Sequence, residues 1–306
     1  MSSIIIFVLI TTIFTVFGYF SVGVHALILI PTIVWVLFFP GVLLIYFVWW
    51  KCARKYISLD RIARFIIGRK KEQDINDNVH VGGILGVLPI YFIELGIQYS
   101  FHYLVEEHFK RSFNTYAWIF FSQFFESFIM AALIEESFKL FVAAVVISID
   151  KQHDKPFTVL VLTMACALGM GCFETIEYTF SVEIRNFNFE TTIITGVLRS
   201  FIATTFHVST AIYIGGAIGN RRFHYLNLNY FRIMLFPILL HGFYDFSILL
   251  FTKLYSHTAN SLFYLLFLLL ILVNLLSTTL AIRTVRSFTK SSQEYDYSLL
   301  ELTENE

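Results

Sequence analysis

The segment FFSQFFESFIMAALIEESFKLFVAAVVISI, residues 120–149, decides the fold class of this chain. It is an apolar run long enough to cross a bilayer, since about 20 apolar residues span the hydrocarbon core as a helix. Its middle nevertheless carries Glu135, Glu136 and Lys139. A charged side chain at the centre of a bilayer costs at least about 2.5 kcal/mol, so charges at such a position indicate a functional site.

The rest of the chain has the composition of a membrane protein. Of its 306 residues, 57% are hydrophobic and 14% are charged, whereas about 25% of the residues of a typical soluble domain are charged. A net charge of zero gives no indication of a nucleic-acid partner. We therefore predict an all-α fold, a polytopic membrane helical bundle of about eight transmembrane helices in a lipid bilayer. The predicted spans are about 4–20, 26–50, 81–99, 116–149, 157–181, 191–219, 231–251 and 261–283.

The Lys and Arg residues lie mainly on one side of these predicted spans. Sixteen fall in the loop 51–80, the segments 150–156 and 220–232 and the C-terminal region, against four on the other side. Because basic loops stay in the cytosol, we predict that both termini are cytosolic. Loops 100–115, 182–190 and 252–260 would then be lumenal or extracellular.

Seven acidic residues, two histidines and two basic residues lie within the apolar spans or at their margins. Seven carboxyl groups cannot all be ionised and paired with two bases, so either several carry a proton or a cation lies among them. Both alternatives describe a functional site better than a purely structural bundle. The residues are Glu94, Glu126, Glu135, Glu136, Glu174, Glu177, Asp245, His207, His241, Lys139 and Arg199.

The spacing of these residues places several of them on shared helix faces. Lys139 follows Glu135 by four residues and Glu136 by three, so one lysine can pair with either glutamate. Asp245 follows His241 by four residues, so it can fix the ring orientation and the tautomer of that histidine.

The other members of the set have weaker signals. We assign no role to Glu174 and interpret Arg199 as a counter-charge. Glu94 and Glu126 are interpreted as structural. His207 stands alone among Ser and Thr residues of a predicted helix, where a histidine is often a hydrogen-bonded packing residue.

Four short motifs occur in order on four successive predicted helices. EESFK (135–139) fits the pattern EExxK, FETIE (173–177) fits FxxxE, and HGFYD (241–245) fits HxxxD, with His207 between the second and the last. This set resembles the PrsW family of intramembrane proteases. That family is related to the CAAX prenyl endopeptidase and bacteriocin-processing group, whose patterns are EExxxR and FxxxH. Lys139 and Glu177 favour the PrsW branch.

The resemblance implies an intramembrane endopeptidase that hydrolyses peptide bonds of membrane-anchored proteins near the lumenal or extracellular side. Carried over residue by residue, it makes Glu135 the general base that activates water. Glu136, held by Lys139, would orient the water or bind the substrate backbone, and Glu177 would be a second acid or base. Peptide hydrolysis requires such a base and a proton donor for the leaving amine.

The two histidines leave two mechanisms open. The resemblance makes His207 and His241, with Asp245, the groups that polarise the scissile carbonyl and stabilise the oxyanion. We favour a metal-free mechanism without a cofactor, because the chain lacks the compact H-E-x-x-H spacing of soluble zinc proteases. The alternative is a zinc ion held by His207, His241 and Glu177 with one open position.

Two other functions compete with proteolysis. Buried acids and histidines also form the proton relays of proton- or cation-coupled transporters. Such transporters usually contain inverted repeats and broken helices, and we see no internal repeat in this sequence. A catalytically silent protein that binds membrane partners is a further alternative.

These motifs divide the chain into three regions. Residues 1–115 hold the N-terminal transmembrane helices with the basic cytosolic loop 51–80, and residues 116–251 form a four-helix catalytic core. Residues 252–306 hold the last transmembrane helix and an acidic cytosolic tail that we expect to be disordered. The tail contains DYSLL (296–300), which resembles signals read by cytosolic sorting adaptors. It predicts a location in endosomes, lysosomes or the late Golgi.

Overall fold

The computed structural model describes residues 92–93, 96–97, 99–101, 103, 115–146, 156–185, 199, 202–223, 227–254 and 260–304. Every regular element within these residues is a helix, which confirms the all-helical class for this part of the chain. Four of the described helices are long and apolar enough to cross a membrane, at Tyr116–Ala144, Phe157–Thr175, Tyr230–Leu250 and Leu268–Lys290. The predicted spans 4–20 and 26–50 and the loop 51–80 lie outside the described residues.

The segment that carries Glu135 is one continuous helix made of four pieces. They are α1 (Thr115–Phe124), the π-helical stretch π1 (Phe125–Leu133), α2 (Ile134–Phe141) and the π-helical stretch π2 (Val142–Val146). The backbone stays helical at the junction residues Phe124, Leu133 and Val142, and the segment contains no Gly or Pro. The π-helix is rare, and the short π-helical turns that occur within α-helices are often found at functional sites. Here π1 ends directly before Ile134, and Glu135 and Glu136 follow in the first turn of α2.

Helices α3 (Pro156–Arg185) and α4 (Ala203–Phe223) form the centre of the described bundle. Their backbones come close because glycines lie between them. A Cβ on Gly215 would lie 3.1 Å from the Cα of Leu160, and a Cβ on Gly171 would lie 3.3 Å from the Cα of Thr204. Small residues allow such close packing where lipid gives no hydrophobic drive for helix association.

Helix α5 (Tyr230–Leu254) joins this centre to the helix that carries Glu135, and α6 (Asn260–Glu304) packs against α4 and α5. The contact between α5 and π1 is aromatic. The rings of Phe128 and Phe243 meet edge to face with centroids 5.1 Å apart, and the ring of Phe128 covers Gly242. The turn of α5 that precedes His241 contains Pro237, whose missing N–H removes one backbone hydrogen bond of the helix.

The acidic tail is helical in this structure, so the expectation of a disordered tail is wrong for the residues up to Glu304. Helix α6 continues from Asn260 to Glu304 without interruption. The sequence contains no Gly or Pro over this range, and its Glu, Gln and Leu residues have high helix propensity. Nothing in the sequence therefore ends the helix where the apolar residues stop.

The packing of Phe128 on Gly242 makes a testable prediction. In Gly242→Ala the new Cβ would overlap the Phe128 ring, and overpacking of this kind costs about 1–3 kcal/mol. We expect a lower melting temperature for the purified full-length variant in detergent. Gly96→Ala is the matched control, because a Cβ there meets nothing within 4 Å, and Ala is favoured over Gly in a helix. Equal effects of the two substitutions would contradict this packing.

Candidate active site

A completely buried ion pair connects three helices. The Nζ of Lys139 lies 2.6 Å from Oε1 of Glu136, and both side chains have an exposed fraction of 0%. Lys139 also donates a hydrogen bond to Oγ1 of Thr210 at 3.0 Å, and Oε1 of Glu136 lies 2.7 Å from Nδ1 of His241. The pair on α2 thereby contacts α4 through Thr210 and α5 through His241.

The two ring nitrogens of His241 face different carboxylates. Its Nδ1 meets Glu136. Its Nε2 lies 3.2 Å from Oδ2 of Asp245 and 4.0 Å from Oε2 of Glu135. Asp245 therefore lies at ion-pair distance from His241, as the i,i+4 spacing predicted.

The imidazole of His207 is arranged in the same way on α4. Its Nε2 lies 2.8 Å from Oε2 of Glu174. Its Nδ1 lies 3.4 Å from Oε2 of Glu135 and 3.2 Å from Nζ of Lys139. The rings of His207 and His241 are perpendicular, with centroids 5.0 Å apart. Both rings thus approach the same oxygen of Glu135 from different helices.

Most of the residues that the sequence analysis selected lie together in this place. Arg199 lies at its edge, where its Nη2 is 2.7 Å from Oε1 of Glu174. Glu177 belongs to α3, but its side chain is outside the described part of the chain. The polar cluster, as we name it, contains Glu135, Glu136, Lys139, Glu174, Arg199, His207, Thr210, His241 and Asp245.

Two members of the polar cluster received no role from the sequence. Glu174 holds the outer nitrogen of His207, and Thr210 lies between Lys139 and Glu136. Spacing offered a weak signal for both. Glu174 precedes Glu177 by three residues, and Thr210 follows His207 by three, so each shares a helix face with a motif residue.

The formal charges of the polar cluster do not balance. It contains the four carboxyl groups of Glu135, Glu136, Glu174 and Asp245 and the two permanent cations Lys139 and Arg199. Fully ionised carboxylates would leave two uncompensated negative charges among buried groups. A divalent cation, or two protons bound to the acids or imidazoles, would restore neutrality.

The residues present fit a divalent metal ion. Glu135, His207 and His241 are buried, and each offers one ligand atom within 4.8 Å of the other two. A tetrahedral zinc ion with bonds of about 2.0–2.1 Å requires ligand atoms about 3.3 Å apart, so small side-chain movements suffice. The outer nitrogens meet the carboxylates of Glu174 and Glu136, as is usual for metal-binding histidines.

Lys139 does not obstruct such a site. Its Nζ is 3.2 Å from Nδ1 of His207, the nitrogen that faces Glu135. It keeps two other acceptors, Glu136 and Thr210, if that nitrogen binds an ion. The possible metal-binding group within the described residues consists of Glu135, His207 and His241. The sequence analysis named Glu177 in place of Glu135 as the third zinc ligand.

Comparison with known proteins identifies the family. A family model described as PrsW family intramembrane metalloprotease matches residues 80–275. The chain belongs to the PrsW family. The resemblance that the four motifs indicated is thereby confirmed, and all four motifs lie within the matched residues.

Individual PrsW relatives match a smaller part of the chain. Protease PrsW of Oceanobacillus iheyensis is 30% identical over 166 residues, which are 54% of this chain and 65% of that protein. Protease PrsW of Clostridioides difficile is 31% identical over 132 residues, 40% of this chain and 52% of that protein. The chain thus covers between about half and two thirds of these relatives. No solved structure matches the chain.

The buried ion pair makes a second prediction. Lys139→Met would leave the buried carboxylate of Glu136 without its cation, and breaking a buried pair in this way costs about 3–5 kcal/mol. We expect a sharp loss of folded protein, measured as the monodisperse yield in detergent and the melting temperature. Lys290→Met, at an exposed lysine, should change neither quantity.

A compensating substitution separates charge from packing. Adding Glu136→Gln to Lys139→Met removes the unpaired buried charge, so part of the lost yield and melting temperature should return. If the double variant is no better than Lys139→Met, the loss comes from packing and not from the stranded carboxylate.

Proposed function

We propose that this chain is an intramembrane endopeptidase that hydrolyses peptide bonds of membrane-anchored proteins by water attack at a zinc site formed by Glu135, His207 and His241. The observation that carries this proposal is the position of Glu135 between two imidazoles that come from different helices, at 3.4 Å from Nδ1 of His207 and 4.0 Å from Nε2 of His241. Membership of the PrsW family supports the reaction class.

The choice of zinc over the metal-free mechanism follows from the third ligand. Two histidines alone make a poor zinc site, and the sequence lacks a compact motif that would add a third ligand. Glu135 of α2 lies close to both imidazoles, which supports it as the third ligand. A bound zinc ion would polarise the scissile carbonyl and supply an activated water.

The surrounding residues have separable tasks in this proposal. Glu136 and Glu174 each hold one imidazole by its outer nitrogen. Asp245 lies beside Nε2 of His241 and is 18% exposed, so it can take up a proton from water and return one to the leaving amine. In a metal-free version Glu135 itself would be the general base.

We place the reaction in the half of the membrane that faces the lumen or the exterior. The distribution of Lys and Arg supports cytosolic termini. In that orientation Glu174 lies near the outer end of the Phe157–Thr175 span, and Asp245 lies near the outer end of the Tyr230–Leu250 span. Hydrolysis requires water, and the positions of Glu174 and Asp245 support access to the polar cluster from that side.

Cation-coupled transport is the second candidate function. The excess of negative charge in the polar cluster supports it, because a permeant cation could also neutralise these carboxylates. Cation flux into liposomes that contain the purified protein would favour transport. Proteolysis without flux would favour the peptidase.

A third prediction tests the site residues. Glu135→Gln and His241→Ala should each reduce cleavage by about 10²–10⁴-fold. Each removes a zinc ligand of the proposed site. In the metal-free version, the first removes the general base and the second removes a group that stabilises the oxyanion. The assay uses the full-length protein reconstituted with a panel of single-span membrane proteins that carry a tag at each end. Ser137→Ala is the control, because the hydroxyl of Ser137 donates a hydrogen bond to the carbonyl of Leu133 in its own helix.

The same preparations distinguish the two mechanisms. We expect about one zinc per active protein, and loss of both zinc and cleavage after treatment with phenanthroline. Full cleavage by zinc-free protein, together with an inactive Glu135→Gln variant, would contradict the zinc mechanism and support the metal-free mechanism. Normal cleavage by Glu135→Gln would show that both versions are wrong.

The C-terminal tail supports a proposal about location. We propose that DYSLL (296–300) is a cytosolic sorting signal that directs the protein to endosomes, lysosomes or the late Golgi of a eukaryotic cell. Cytosolic sorting adaptors would be its partners. Both the acidic DxxLL pattern and the YxxΦ pattern end at Leu300.

A fourth prediction tests this signal. In cultured cells, replacing Leu299 and Leu300 by Ala should move the tagged full-length protein to the cell surface. Leu302→Ala is the matched control, since it lies beyond both patterns. An unchanged distribution of the double variant and of Tyr297→Ala, or a tail tag that is accessible outside intact cells, would contradict the proposal.

A further inference from the structure

Glu174 and Arg199 form a pair at two positions that none of the four motifs specifies. Oε1 of Glu174 lies 2.7 Å from Nη2 of Arg199, and Oε2 of the same carboxylate lies 2.8 Å from Nε2 of His207. The guanidinium of Arg199 lies over the ring of Tyr178, 3.9 Å from its centroid. One carboxylate thus connects an anchored cation to one of the two imidazoles at the candidate zinc site.

The contacts of His207 determine which of its nitrogens carries the proton. Its Nδ1 faces the ammonium of Lys139 at 3.2 Å, and an ammonium can only donate hydrogen bonds. This contact is shorter than the 3.4 Å between Nδ1 and Oε2 of Glu135, which favours Nδ1 as the unprotonated acceptor. We therefore expect the proton on Nε2, which lies 2.8 Å from Oε2 of Glu174, and an unprotonated Nδ1 is the form that binds a metal ion.

The two imidazoles are held in equivalent ways. His241 donates from Nδ1 to Glu136, and Glu136 is paired with Lys139. The Nε2 of His207 lies 2.8 Å from Oε2 of Glu174, and Glu174 is paired with Arg199. In both cases an anchored cation fixes a carboxylate, and the carboxylate fixes a ring.

We propose that Glu174 and Arg199 are positioning residues that hold His207 as its Nε2–H tautomer, with Nδ1 directed toward Glu135. Glu174 acts on the ring directly, and Arg199 acts only through Glu174. The consequence for metal binding rests on the proposed zinc site, whereas the tautomer itself does not. Outer carboxylates of this kind typically change metal affinity by about 10–100-fold when they are lost.

Zinc affinity is the first measurement. The purified full-length protein is stripped of metal and titrated with Zn²⁺ against a chromogenic chelator. We expect Glu174→Gln to weaken binding about 10–100-fold and Arg199→Gln to weaken it less. Arg199→Lys should remain closer to wild type than Arg199→Gln, because it retains a cation for Glu174. Glu126→Gln, a partly buried glutamate outside the polar cluster, is the matched control.

The double variant Glu174→Gln/Arg199→Gln tests whether Arg199 acts through Glu174. It should bind zinc no more weakly than Glu174→Gln alone, because the arginine has nothing further to act on. It also removes both charges of the Glu174–Arg199 pair together, so neither partner is left without the other, and we expect it to fold even if a single variant does not. Melting temperatures identify any variant that fails to fold.

Nitrogen-15 NMR of histidine-labelled protein is the second measurement, with His207→Gln to assign the signals. In the metal-free wild type, His207 should show a single Nε2–H tautomer, and Glu174→Gln should convert it to a mixture. If the wild type binds no zinc but shows this change, the positioning role stands and the zinc site is wrong. A folded Glu174→Gln variant with wild-type zinc affinity and an unchanged tautomer would overturn the proposal.

Discussion

The ion pair between Glu136 and Lys139 is the contact on which the arrangement of the described helices depends. It lies in an apolar bundle with an exposed fraction of 0% for both side chains. Two such charges lose the solvation of water, and only close pairing with additional hydrogen bonds compensates for that loss. Thr210 from α4 and His241 from α5 provide those bonds, so burial of the pair requires that three helices meet at one point.

This requirement also explains the order of the polar groups across the site. Glu136 and Lys139 are completely buried and pair with each other, whereas the side chains of Glu135 and Asp245 are 11% and 18% exposed. Adjacent residues of one helix point about 100° apart, so Glu135 and Glu136 face different surroundings. Two neighbouring glutamates can therefore have a structural role and a chemical role within a single turn.

The sequence was sufficient for the contacts that lie within one helix. Spacings of three and four residues predicted that Lys139 lies beside Glu136 and Asp245 beside His241, and the structure contains both contacts. The family could also be predicted, because four motifs in order are more specific than any one of them. The helical class followed from composition and apolar length alone.

Residue spacing within one helix could not predict the contacts between helices. Glu174 meets His207 across the interface of α3 and α4, and the close approach of these backbones depends on Gly171 and Gly215. No periodicity within either helix encodes which residues of the other will face it. The approach of Glu135 to the two imidazoles was not predicted for the same reason, because it depends on the packing of α2, α4 and α5.

The length of α6 has a consequence for the surroundings of the protein. This helix of 45 residues extends about 68 Å at 1.5 Å per residue, whereas a bilayer with its headgroups is about 40–45 Å thick. Its apolar part ends near Lys290, and Glu304 lies about 20 Å farther along the axis. The last four turns of this helix therefore lie beyond the apolar length that the hydrocarbon core of a bilayer can accommodate.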